Sequence, residues 1–254
     1  MKRLRKQLKL GVRWLDCGWR LFKRNPWLLL GMALVSMVIV ILLKLIPFLG
    51  SLLVALLAPV LMSSGLLAAN DLSKQKMSLP ASLRMAAFAR SHRALLRPLR
   101  DEKYTVTMLI LAIYALTMAL LINISVEVMS DGAWAWDLAA VQGSDFLTAL
   151  AGKSVACLLY LGLSMSLIYA VPLIVLRDEA VVPALGLSLR TSARHIVSLA
   201  VILGVLVGPF FMGGLTSFVF APSSYAVWLI GGTLALPLFA TSCYCSYRTV
   251  FPAD

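Results

Sequence analysis

The sequence predicts an all-α fold: a polytopic membrane bundle of six transmembrane helices, with basic amphipathic surface helices and a threefold hairpin repeat. Three observations predict it. Six long apolar runs contain no Asp, Glu, Lys, Arg or His. The basic residues collect on alternate connecting segments. The chain is 61% hydrophobic and only 13% charged, against ~45–50% and about 25% in soluble domains.

A bilayer core of ~30 Å takes about 20 apolar residues in a helix. The spans read as Trp27–Leu43, Ser51–Ala69, Tyr104–Val126, Ser154–Leu176, Ile196–Phe220 and Ala226–Tyr247. No run shows the period-2 alternation of a barrel strand. Residues 1–254 therefore form a single integral membrane domain. Within it, 1–26 is a cytoplasmic amphipathic helix, 27–69 hairpin 1, 70–103 a basic cytoplasmic loop, 104–176 hairpin 2, 177–195 a cytoplasmic loop and 196–249 hairpin 3.

Lys and Arg gather on cytoplasmic segments. Of the 23 in this chain, all but Lys44 and Lys153 fall in 1–26, 70–103, 177–195 or the tail at Arg248. Both termini are thus expected in the cytoplasm, and the net charge of +12 is a topology signal rather than a nucleic-acid footprint. The basic start precedes an apolar run, as in a signal peptide. No small-residue cleavage site closes that run, which predicts an uncleaved first span.

Residues 2–22 carry Leu4, Leu8, Val12, Leu15, Trp19 and Phe22 at helical spacing. Such a helix lies in the interface with its cations toward anionic headgroups. Arg13, Arg20, Lys23 and Arg24 are the expected lipid-headgroup or partner contacts here. Arg90, Arg93 and Arg97, also helically spaced, are their counterparts in the second basic segment.

Each hairpin's second helix holds one proline, Pro59, Pro172 or Pro237, and each hairpin follows a basic segment. Gly18 through Arg24-Asn25 parallels Ser188 through Arg194-His195. This recurrence predicts three units of surface helix plus hairpin. The prolines are expected to kink their helices, at matching places on the cytoplasmic half. Gly204 and Gly208 form a small-x-x-x-small pair suited to close helix packing.

Cys17, Cys157, Cys243 and Cys245 avoid the outer loops, where oxidation occurs. Cys243 and Cys245 point to different helix faces and lack a third ligand. All four read as packing thiols, so no metal is expected. The acidic 127–153 loop, with Trp134 and Trp136, suits an interfacial aromatic belt.

The absences limit the chemistry. Intramembrane ionisable residues mark proton relays and ion paths, and the six spans hold none. There is no phosphate-binding glycine loop, nucleophile elbow or zinc-protease motif. No enzyme activity and no cofactor are expected.

Gly18-Trp19-x-Leu21-Phe22-x-x-Asn25-Pro26, Ile46-Pro47-Phe48-Leu49-Gly50, Ala58-Pro59 and Gly65-Leu66 resemble a family of proteobacterial inner-membrane proteins of unknown function. The likeness is clearest over 18–75. More distantly, the repeated plan is similar to the membrane domain that precedes some glycerophosphodiester phosphodiesterases, here without a catalytic domain. The resemblance implies a bacterial inner membrane and six spans, and supplies no active-site residues.

The resulting expectation is a non-enzymatic accessory, assembly or envelope-maintenance factor. It would act through helix packing and a basic cytoplasmic face, with anionic lipids and a membrane-protein partner and without nucleic acid. The alternative is a small permease or lipid-handling protein that uses a cavity between kinked helices.

Overall fold

The computed structural model describes residues 2–46, 49–74, 102–129, 146–204 and 224–252. Among these residues the structure is helical, without a strand. The helices are α1 (Lys2–Arg24), α2 (Pro26–Lys44), α3 (Leu49–Lys74), α4 (Glu102–Met129), α5 (Phe146–Arg177), α6 (Val181–Arg194), α7 (196–204) and α8 (Ser224–Val250). Five of them, α2, α3, α4, α5 and α8, are long and apolar enough to cross a membrane. The fifth expected span, Ile196–Phe220, begins in α7, and its remainder lies outside the described residues.

Helix α4 displays the membrane character most clearly. Met108, Leu111, Ala112, Ala115, Ala119 and Ile122 form its buried stripe, spaced as one face of a helix. The opposite face carries Val106, Leu109, Ile110, Ile113, Leu121 and Ile124, all exposed. A helix in water would place polar groups there. Apolar residues on both faces suit a helix that packs inward and meets lipid outward. In lipid the burial itself drives little, so close packing and hydrogen bonds hold the helices together. Gly65 of α3 accordingly lies against Ala240 of α8, and Gly232 of α8 against Met37 of α2.

Helix α3 touches α2, α4, α5 and α8, while α6 lies along α5 and α1 along α8. The α1–α2 corner follows from sequence. Asn25 is the N-cap of α2, and its side chain accepts from the Leu28 N–H at 3.3 Å. Pro26 occupies the first helical turn, where a missing N–H costs nothing. Helix α5 stops at Asp178, whose φ of 58° is a left-handed conformation that Asp tolerates.

The three prolines stand at different places along their helices. Pro59 falls in the first half of α3, Pro237 near the middle of α8 and Pro172 close to the end of α5. No described residue lies within 4 Å of a Cβ built on Gly204, and Gly208 lies outside the described residues.

Candidate functional site: the polar end of the bundle

Helix α1 has three faces. Gly11, Trp14, Gly18 and Leu21 are buried against the bundle. Leu4, Leu8, Val12 and Trp19 form an exposed apolar stripe, about a quarter turn away at 3.6 residues per turn. The basic residues fill the third face. The glycines set the bundle face. A Cβ on Gly11 would stand 2.7 Å from the Ser198 carbonyl oxygen, and one on Gly18 would stand 2.8 Å from the Ser242 backbone nitrogen.

Polar bonds fix the two ends of α1. Gln7 donates to the Arg194 carbonyl at 2.8 Å, and Ser198 donates to the Gln7 carbonyl at 2.8 Å. At the other end Arg24 donates to the Leu72 carbonyl at 2.8 Å and to that of Ser73 at 3.3 Å. A cation there satisfies carbonyls left open at the end of α3. Between these anchors, Cys17 is disulfide-bonded to Cys245 of α8, with a Cα separation of 6.1 Å. This corrects the reading of Cys17 and Cys245 as packing thiols: α1 lies across α8 and brings together cysteines 228 residues apart. Cys243 is free and buried. The side chain of Cys157 lies outside what is described.

Two recesses flank the crossing. The first, of about 490 Å³, is lined by both bonded cysteines, Arg20, Arg24, Arg248 and Tyr244. Two expected headgroup residues, Arg20 and Arg24, meet here. Arg20 also pairs with Asp16 at 2.6 Å, an exposed i,i+4 contact worth little. Tyr244 closes the floor, donating to Asn70 Oδ1 at 3.0 Å and lying 2.7 Å from Ser73 Oγ.

The second recess, of about 530 Å³, is lined by Trp14, Arg190, Arg194, His195 and Phe251. Trp14 is only 2% exposed. Its Nε1, like His195 Nδ1, is buried without a hydrogen-bond partner among the described residues. Indole nitrogen is a donor only, and an unmatched buried donor costs about 1–3 kcal/mol. Burial, and then the neighbouring Arg194 charge, hold the His195 imidazole below its ordinary pKa of 6.5. The lining offers two guanidiniums and no carboxylate, which suits an anion.

The other expected contacts lie elsewhere. Arg13 is exposed and lines neither recess. Lys23 is exposed, with its ammonium 5.1 Å from the centre of the Trp19 ring. Arg90, Arg93 and Arg97 lie outside the described residues. Sequence reasoning missed Arg190, Arg194 and Arg248 as site residues. The signal was available for the first two, which stand four apart near the end of a basic helix.

A third space, about 310 Å³, lies between α2, α3 and α8. Leu29, Met37, Val54, Ala58, Leu61 and Pro237 are among its walls. Its serines present no free donor, because Ser36 bonds the Met32 carbonyl at 2.8 Å and Ser64 that of Leu61 at 2.7 Å. Among the described residues no cluster of His, Cys, Asp or Glu is suited to a metal. No family model, no curated protein and no solved structure matches this chain.

Proposed function

We propose that this is a non-enzymatic inner-membrane protein that holds an anionic lipid at its basic end, as an accessory, assembly or envelope-maintenance factor. The observation that carries the reading is the recess of Trp14, Arg190, Arg194 and His195, which holds two guanidiniums and no carboxylate. A phosphate-bearing headgroup supplies acceptor oxygens and charge together, and charge-assisted bonds to arginine are among the strongest available. The exposed apolar stripe of α1 supports an interfacial helix beside that headgroup.

The proposed frame has six spans, with both termini cytoplasmic on the strength of the basic-residue asymmetry. A repeat of surface helix plus hairpin is supported by two corners rather than by the prolines. A single residue, Asn25, separates α1 from α2, and a single residue, His195, separates α6 from α7. Gly18 and Ser188, at corresponding places before those breaks, are both buried against a membrane helix.

A second reading, a small permease or lipid-handling protein, is favoured by the space between α2, α3 and α8. Its apolar walls select an acyl chain over a polar solute. The test is purification in mild detergent followed by native mass spectrometry. Phosphatidylglycerol or cardiolipin should remain bound, and Arg190→Gln with Arg194→Gln should remove most of it. Equal retention of phosphatidylcholine, or retention unaffected by the double variant, would overturn the proposal.

A further inference from the structure

The bond between Cys17 and Cys245 opens on a recess rather than lying sealed in the bundle. Cys17 is half-buried and Cys245 buried, and both line the same space as Arg20, Arg24 and Arg248. We infer that this bond is a thiol–disulfide exchange site for a small anionic thiol, and that exchange loosens α1 on α8.

The chemistry follows from the lining. Exchange begins with a thiolate attacking a disulfide sulfur, and its rate depends on access and on the leaving thiol. Cys17 is the more exposed residue of the pair. The incoming thiolate bonds to Cys17 Sγ and the Cys17–Cys245 bond breaks, so Cys245 leaves as a thiolate. Neighbouring guanidiniums favour that thiolate. A second small thiolate then attacks the sulfur of the first, and Cys17 departs in turn. The balance is two small thiols oxidised to one small disulfide, one protein disulfide reduced to two thiols, and two protons passed to the cysteines.

The recess selects the charge of the thiol. Three guanidiniums and no carboxylate line it, although Asp16 offsets part of the Arg20 charge from outside. A field of one sign in a cleft concentrates oppositely charged reactants. Cys243 does not compete, because it is buried and is not among the lining residues.

Exchange also changes the fold locally. The bond is the covalent tie between α1 and α8, which otherwise meet through packing such as Gly18 against Ser242. Reduction leaves the Gln7 and Arg24 anchors at the two ends and loosens the middle of the helix.

The experiment uses the full chain, air-oxidised, in neutral phosphatidylcholine nanodiscs. Reduced glutathione, an anionic thiol, is compared with cysteamine, a cationic one, at equal thiolate concentration. Maleimide mass shifts on the Cys17 and Cys245 peptides report the bond. Glutathione should react ~10-fold faster than cysteamine. The ratio should fall toward one in Arg248→Gln and in about 0.5 M salt, where charges are screened within a few ångströms. Hydrogen exchange over α1 should rise once the bond is broken. Absence of the bond after oxidation, resistance to both thiols, equal rates for the two, or reduction with no change in α1 exchange would each overturn the inference.

Discussion

Ser188 accepts the Tyr169 backbone N–H at 3.0 Å while its own hydroxyl donates to the Met165 carbonyl at 2.9 Å. Those two backbone groups are the ends of one i→i−4 rung of α5. A side chain from α6 thus bridges both ends of that rung, one turn before Pro172. Ser192 adds a second donor to the same carbonyl at 2.9 Å.

Ser188→Ala should be mild, because the Tyr169 N–H and Met165 carbonyl are i→i−4 partners of one helix. A loss within about 1 kcal/mol is expected. Ser188→Leu should cost about 1–3 kcal/mol, because the site is fully buried and overpacking displaces α6. Thermal unfolding of both variants in one detergent checks the order.

Gly18→Val should lift α1 from α8, since even the Cβ would stand 2.8 Å from the Ser242 nitrogen. The expected readouts are faster proteolysis within α1 and a lower yield of the Cys17–Cys245 bond. Gly186→Ala is the contrast, because nothing lies within 4 Å of its Cβ. In the interior of α6 it should raise stability by up to about 1 kcal/mol.

The imidazole of His195 has its pKa below the ordinary 6.5 in the folded protein. The unfolded chain therefore binds the proton more readily, and stability falls as pH drops through the region below 6.5. A bound anion reverses the preference, because it favours the imidazolium beside Arg190 and Arg194. Stabilisation by phosphatidylglycerol should grow between pH 7.5 and 5.5, and His195→Gln should flatten that growth. Melting temperatures with and without the lipid measure both effects.

Ala33→Phe should fill the space between α2, α3 and α8, whose wall it forms. Retained lipid in native mass spectra should fall, with the unfolding temperature unchanged or higher. Retention at the wild-type level would remove the acyl-chain reading while leaving the headgroup recess standing.

Reporter fusions after Asp254 and within 131–145 should lie on opposite sides of the membrane. The same side for both would contradict the six-span frame.

What was legible in the sequence follows the range over which each signal acts. Uniform apolarity marked α2, α3, α4, α5 and α8, because a membrane helix is read residue by residue. Period marked the exposed stripe of α1. The face that docks on the bundle was invisible to the same reading, because Gly11 and Gly18 contribute closeness rather than hydrophobicity. The bond between Cys17 and Cys245 was hidden for another reason. Cys243 and Cys245 drew attention as neighbours, whereas the partner of Cys245 came from the other side of a helix crossing. Arg20, Arg24 and Arg248 likewise share a recess only after that crossing forms.

The crossing has a consequence for how the protein is made. Cys17 and Cys245 are separated by 228 residues. At ~5–20 residues per second, α1 emerges about 10–50 s before the helix that covers it. Throughout that interval Trp14, Gly18 and Leu21 have no α8 to rest on. Helix α8, made later, must therefore pack against a helix that already exists. The order of translation makes α1 a latch that closes only when α8 has arrived.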